Sequence, residues 1–467
     1  MSPRGKHAGD LELPTKPRLA AWSAMVLLAA CWQVRATDPY PSTYQRYPGE
    51  PTLITQVTIF DGEGGRLDDA SILFADGEVV ALGKDIAAPA GARVIDGRGK
   101  WVTPGIIDAH SHLGALSSPQ VKASADLNEM TNANTAQAWV EHSVWPQDPA
   151  FARALANGGV TALQILPGSS NLFGGRSVVL KNVPARTVQQ MKFPGAPYGL
   201  KMACGENPKK RYTTSRMGNV AITRQAWAKA AEYKREWDGY RDRGGTPPKR
   251  DLQLDTLMGV LAGEILVHHH CFRADEMAQM LDLSREFGYR ITAFHHAVEA
   301  YKIADLLRDS SVCAVVFSDW WGGKLEMRDA IDENLPLLEN ASACAMIHSD
   351  NAMLIQRLNQ EVAKALAAGR RAGLEISDER AWTWLSINPA KVLGIADRTG
   401  SLRPGKMADI VLWNGHPFSV YTRPEKVWID GALLFDALDP GRQPISDFDL
   451  RERAGRPDSV GRRRTFP

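Results

Sequence analysis

Cysteine is scarce in this chain. The 467 residues hold five (Cys31, Cys204, Cys271, Cys313 and Cys344), with no CxxC pair and no dense framework. That pattern indicates neither a disulfide scaffold nor a Cys-ligated zinc site, and Cys204 and Cys271 are expected as buried thiols. A charge surplus is also missing: 55 basic against 53 acidic residues leave a net charge of +2, which supplies no field for gripping nucleic acid. Long apolar runs are absent too. The longest, Leu19 to Ala30 behind Lys16 and Arg18, is too short to span a bilayer comfortably but fits a signal-peptide core. Val34-Arg35-Ala36 offers an ordinary cleavage site, whereas Leu28-Ala29-Ala30-Cys31 resembles a lipobox that would leave Cys31 lipidated at a membrane. Either exit predicts export, to the periplasm or as an outer-membrane lipoprotein.

What is present is an ordinary globular composition, 44% hydrophobic and 23% charged, long enough for a large barrel plus an accessory unit. After the leader (1–36), residues 37–51 are rich in Pro and Tyr and read as an extended linker. Short β runs with Asp-Gly turns follow over 52–102, and a matching group recurs over 399–437. Together they predict one small β-sandwich built from both ends of the chain. Residues 438–467 read as a solvated tail, despite the Arg462-Arg463-Arg464 run.

Between the two β groups, residues 103–398 alternate Val/Ile/Leu-rich strands with helices such as Arg273–Phe287 and Asn351–Ala368. Eight such strands, expected to be parallel, predict a (β/α)8 barrel of the TIM type. The stretch 207–256 is an insertion. Its aromatic stripe (Trp227, Tyr233, Trp237, Tyr240) is expected to pack on the barrel rather than serve as a lid.

Histidine carries the chemistry. Eight of the eleven fall in four places: His110 and His112; His268, His269 and His270; His295 and His296; and His348. Each place is at or just past the C-terminal end of a predicted strand, and in a barrel those ends converge on one face. Neutral imidazoles and carboxylates are the usual ligands of Zn²⁺ and similar ions. His110 and His112, two apart, face the same side and can share an ion. His270 is expected as a ligand with His268 behind it. Parity does not decide between His295 and His296, and His348 is expected as an orienting or substrate-side group. Asp350 offers a carboxylate that can touch both metal and water. A metal lowers the pKa of its water towards ~7, and Asp350 can then act as general base and return the proton to the leaving group.

These residues resemble the amidohydrolase superfamily, specifically its exported imidazolonepropionase-like branch. The segment Thr103-Pro104-Gly105-Ile106-Ile107-Asp108-Ala109-His110-Ser111-His112 is similar to that family's first-strand signature. Val267-His268-His269-His270, His296-Ala297-Val298-Glu299, Ile347-His348-Ser349-Asp350 and Gly400-Ser401-Leu402-Arg403-Pro404-Gly405 follow in the family's order. The resemblance implies His110, His112, His270, His296 and Asp350 as ligands of a divalent metal, taken as zinc, with one or two ions. It also implies a bridging anion. Either Lys201, carboxylated by CO2, or Glu206 fits, and the sequence leaves both open. Arg273, Tyr301, Trp320, Trp321, Lys324 and His348 are candidates for the substrate side. The expectation is hydrolysis of an amide, cyclic amide or dipeptide by metal-activated hydroxide. A ring deaminase on the same site, or a non-catalytic exported metal-binding protein, is the alternative. Small molecules are the expected partners. Nucleic acid is not, a membrane is met only through a lipidated Cys31, and a homo-oligomer is left open.

Overall fold

The structure is a computed structural model and describes residues 38–444. The predicted leader, Cys31 and the tail beyond residue 444 lie outside the described residues. Every strand and helix named below belongs to the compact unit that begins at Pro41.

Among the described residues, sixteen strands form two sheets. The first sheet draws on both ends of the chain: β1 (Thr52–Phe60), β2 (Arg66–Ala75), β3 (Glu78–Gly83), β4 (Arg93–Asp96), β5 (Trp101–Pro104), β14 (Ile410–Trp413), β15 (Pro424–Ile429) and β16 (Ala432–Asp436). Their order is β16-β15-β14-β5-β1-β2-β3, with β4 beside β1. Phe74 on β2 meets Trp428 on β15 edge-on, with ring centroids 5.4 Å apart, although three strands separate them in that order. The sheet therefore folds over on itself around a core of Ile54, Val57, Phe74 and Leu412. Backbone bonds from Val79 N to Lys406 O and from Ala408 N to Gly77 O, both 2.8 Å, fasten the fold-over. The Pro- and Tyr-rich stretch before β1 is tied down: Thr43 N donates to Gln189 O (2.9 Å) and Tyr47 OH to Pro184 O (2.5 Å).

The second sheet is the barrel: β6 (Ile106–Ser111), β7 (Val160–Ile165), β8 (Phe173–Lys181), β9 (Gly199–Ala203), β10 (Leu266–Cys271), β11 (Ala293–His296), β12 (Cys313–Val316) and β13 (Ala345–Ile347), paired in chain order. Its ends meet where Asp350 N donates to His110 O (3.1 Å) and Ser349 Oγ to Asp108 Oδ2 (2.5 Å). The expected barrel with a small sandwich is thus the fold. One strand departs from expectation, because β8 runs antiparallel to both neighbours. Only residues 166–172 join β7 to β8, too few for a parallel crossover and enough for a hairpin. Gly174 and Gly175 lie inside β8.

The insertion forms a 28-residue helix, Arg216–Arg243. Trp227 is buried, stacks on Tyr289 (4.2 Å between centroids) and meets Phe173 edge-on, so this member of the stripe packs on the barrel, while Tyr233, Trp237 and Tyr240 meet one another edge-on along the helix.

The cysteines correct the sequence reading. Cys204 is bonded to Cys271 and Cys313 to Cys344. Each pair sits at the ends of adjacent strands, with Cα atoms 5.3 and 4.6 Å apart, within bridging range. Separations of 67 and 31 residues conceal this in the sequence. Loops of that length predict that losing the Cys313–Cys344 bond costs ~2–4 kcal/mol of stability. Denaturant titration of the Cys313→Ser, Cys344→Ser double variant measures it, and a midpoint equal to wild type contradicts it.

Candidate metal centre

The barrel brings one histidine group after another to its mouth. His110 and His112 leave the end of β6 two residues apart. Their Nε2 atoms lie 3.3 Å from each other and 3.3 and 3.1 Å from Asp350 Oδ1. His112 is oriented from behind, since its Nδ1 lies 2.8 Å from the carbonyl of Leu166; a proton there leaves Nε2 free. Lys201, fully buried on β9, places its Nζ 3.5 Å from His110 Nε2. Burial pulls its ammonium down to about 8. Burial likewise brings His348 down to about 3 and holds His110, His270 and His296 well below the usual imidazole range. These rings are neutral at pH 7, the form that binds metal. Burial also pushes the Asp350 carboxyl upward, but the His112 hydrogen bond and the nearby imidazoles outweigh it and hold Asp350 well below its ordinary value.

Two sets of donors share His110. His110, His112 and Asp350 form one, and His110, His296 and His348 the other; within each set the donor atoms lie within 4.8 Å of one another. Both nitrogens of His270 and of His348, and Nδ1 of His296, are buried without a hydrogen-bond partner among the described residues. Unpaired buried imidazole nitrogens are costly, and a divalent ion fits this donor set. His348, expected beside the substrate, therefore also belongs to a ligand-capable group.

The backbone explains a choice that the sequence left open. His296, Ala297 and Asp350 adopt positive φ (68°, 40° and 59°), a conformation that costs non-glycine residues of order 1–3 kcal/mol and collects at functional sites. This turn just past β11 breaks strict alternation. His296 lines the cavity while His295 turns behind His110, with Nδ1 2.9 Å from His110 Nδ1.

A cavity of about 510 Å³ opens over the cluster. His110, His112, Lys201, His270, His296 and Asp350 all line it, as do Trp320, Trp321 and Lys324. Trp320 stacks on Phe317 at 4.1 Å. The Lys324 ammonium donates to Asn207 Oδ1 (3.0 Å) and lies over the Phe272 ring. Three predicted site residues are not brought here. The Glu206 carboxylate pairs with Lys210 (2.9 Å) and accepts from Glu326 N (3.2 Å), outside the cavity lining. Arg273 pairs with Asp275 (2.9 Å). Tyr301 OH donates to Asp329 O (3.0 Å).

Comparison with known proteins agrees with this geometry. The amidohydrolase family model matches residues 262–444. An amidohydrolase of Thermotoga maritima superposes with a TM-score of 0.77 and 32% identity, covering 82% of this chain and all of that one. The chain belongs to the amidohydrolase superfamily. The family and its named relatives support a hydrolase acting on carbon–nitrogen bonds, and the amidohydrolase resemblance read from the first-strand signature is borne out. The amidohydrolase tasK of Hapsidospora irregularis is 30% identical over 86% of this chain. The chain spans only 46% of that relative's length. The imidazolonepropionase of Shewanella oneidensis is 22% identical over 75% of this amidohydrolase and 88% of its own length.

Proposed function

We propose that this amidohydrolase cleaves the C–N bond of an amide, cyclic amide or dipeptide, with Asp350 as general base. One observation carries the reading: His110, His112 and Asp350 meet within 3.3 Å in a cavity that Lys201 also lines. His110, His112, His270, His296, Asp350 and a carboxylated Lys201 would hold one or two divalent ions, taken as zinc. When bound, such an ion acidifies water and polarises the scissile carbonyl. Asp350 takes the proton of the attacking water as its oxygen bonds to the carbonyl carbon. It then delivers that proton to the nitrogen as the C–N bond breaks. Lys324 anchors a carboxylate or carbonyl of the substrate, and Trp320 and Trp321 offer a flat apolar wall. Export is part of the proposal, and two disulfides suit an oxidising compartment.

The test is turnover of a panel of N-acyl amino acids, dipeptides and cyclic amides before and after chelation. Removing the metal is expected to lower turnover at least about 100-fold while circular dichroism is unchanged, with recovery on adding Zn²⁺. Undiminished turnover after chelation overturns the reading. Ammonia release from ring amines without any amide cleavage would favour the deaminase instead.

A further inference from the structure

We propose that His295 and His268 are positioning residues: with His110 they form a chain of three imidazoles that keeps the His110 proton on Nδ1 and presents the Nε2 lone pair to the metal cluster. The proposal rests on His110 being a metal ligand, as in the function proposed above.

All three rings are fully buried, and they come from three different strands. His110 Nδ1 lies 2.9 Å from His295 Nδ1, and His295 Nε2 lies 2.9 Å from His268 Nδ1. A neutral imidazole has one N–H donor and one acceptor nitrogen, so the chain can run in only two senses. In one, His110 Nδ1–H donates to His295, His295 Nε2–H donates to His268, and the last proton sits on His268 Nε2. In the other, every proton moves to the opposite nitrogen and His110 carries its own on Nε2, where it would block a metal.

The far end of the chain favours one of them. His268 Nε2 and Gln164 Oε1 are both buried without a partner among the described residues, while the Gln164 amide nitrogen donates to Ser177 Oγ (2.8 Å). The three side chains converge over Gly199. A Cβ there would lie 2.4 Å from Ser177 Oγ, 2.7 Å from His268 Cδ2 and 3.0 Å from Gln164 Nε2. In the first sense the last N–H of the chain sits beside this group, whose unpartnered atom is an acceptor, although His268 Nε2 and Gln164 Oε1 do not bond each other directly. The second leaves two lone pairs there with no donor. At this end the first sense is favoured; at the other, the Asp350 carboxylate 3.3 Å from His110 Nε2 competes for a proton there in the absence of a metal, and the first sense is the one that frees His110 Nε2 for an ion.

Metal-binding histidines usually donate their second N–H to a carboxylate or carbonyl, which fixes the ring and raises its basicity. His112 follows that pattern through Leu166 O. His110 uses an imidazole in its place, and a second imidazole fixes the proton on the first.

The test combines tautomer spectroscopy with metal affinity. In the Zn²⁺-loaded protein labelled with ¹⁵N-histidine, His295 is expected with its proton on Nε2; a proton on His295 Nδ1 overturns the proposal. Affinity for Zn²⁺, measured by competition with a chromogenic chelator, is expected to weaken about 10–100-fold in His295→Leu. His295→Asn places an amide oxygen near the lost Nδ1 and is expected to restore most of that affinity. A folded His295→Leu protein with wild-type affinity overturns the proposal, and if that variant does not fold the tautomer result decides. His110→Ala separates the two readings. If it binds Zn²⁺ as wild type does, the ligand assignment itself is wrong. If it binds weakly while His295→Leu is unaffected, only the positioning role fails.

Discussion

Replacing Asp350 by asparagine is expected to lower kcat by about 10²–10⁴-fold, the usual contribution of a positioned general base, with the metal retained. Asparagine keeps an oxygen near Nε2 of His110 and His112, where Asp350 Oδ1 now lies, but that oxygen cannot accept the proton of the attacking water. The loop that holds the side chain should survive, because it is fixed by other groups: Asp350 N donates to His110 O and Ser349 Oγ to Asp108. Metal content and kcat measured on the same preparation separate the two roles. A variant with full metal and full rate would move the general base elsewhere.

Lys201 carries the second large effect. With its ammonium pulled down to about 8 by burial, far more of the amine is neutral near pH 7.5 than in a free lysine. Only the neutral amine attacks CO2, forming an N–C bond and releasing one proton to give the carbamate. Acid below about pH 8 therefore disfavours the bridge and alkali favours it. Reconstitution of stripped protein with Zn²⁺ is expected to be poor in CO2-free buffer, worse at pH 6.5 than at 8.5, and improved by bicarbonate. Lys201→Ala should weaken metal binding by at least about 100-fold, more than the loss of an outer partner. Glu206→Gln should leave metal binding intact, because Glu206 is engaged with Lys210 and Glu326. The opposite pattern in those two variants would make Glu206 the bridge.

The fold was legible wherever chemistry and periodicity coincide. His110 and His112 share a facing two residues apart on a strand, and their convergence with Asp350 follows from the barrel's single mouth. Aromatics at helical spacing gave the packing role of Trp227. The antiparallel β8 was hidden, because its Val-rich run looks the same in either direction and only the seven-residue connection betrays it. The disulfides were hidden for another reason: distance along the chain says nothing about which strands become neighbours. His295 and His296 could not be ranked by alternation, since a left-handed turn at His296 lets consecutive histidines take different sides of His110. Arg273 and Tyr301 satisfy partners of their own, Asp275 and Asp329, and a sequence does not display such local competition.

The most direct test of the central claim is anomalous diffraction from crystals of catalytically active, metal-loaded protein. The account predicts a peak about 2.0–2.2 Å from Nε2 of His110, Nε2 of His112 and a carboxylate oxygen of Asp350. An active protein whose ion lies away from these three side chains would contradict it.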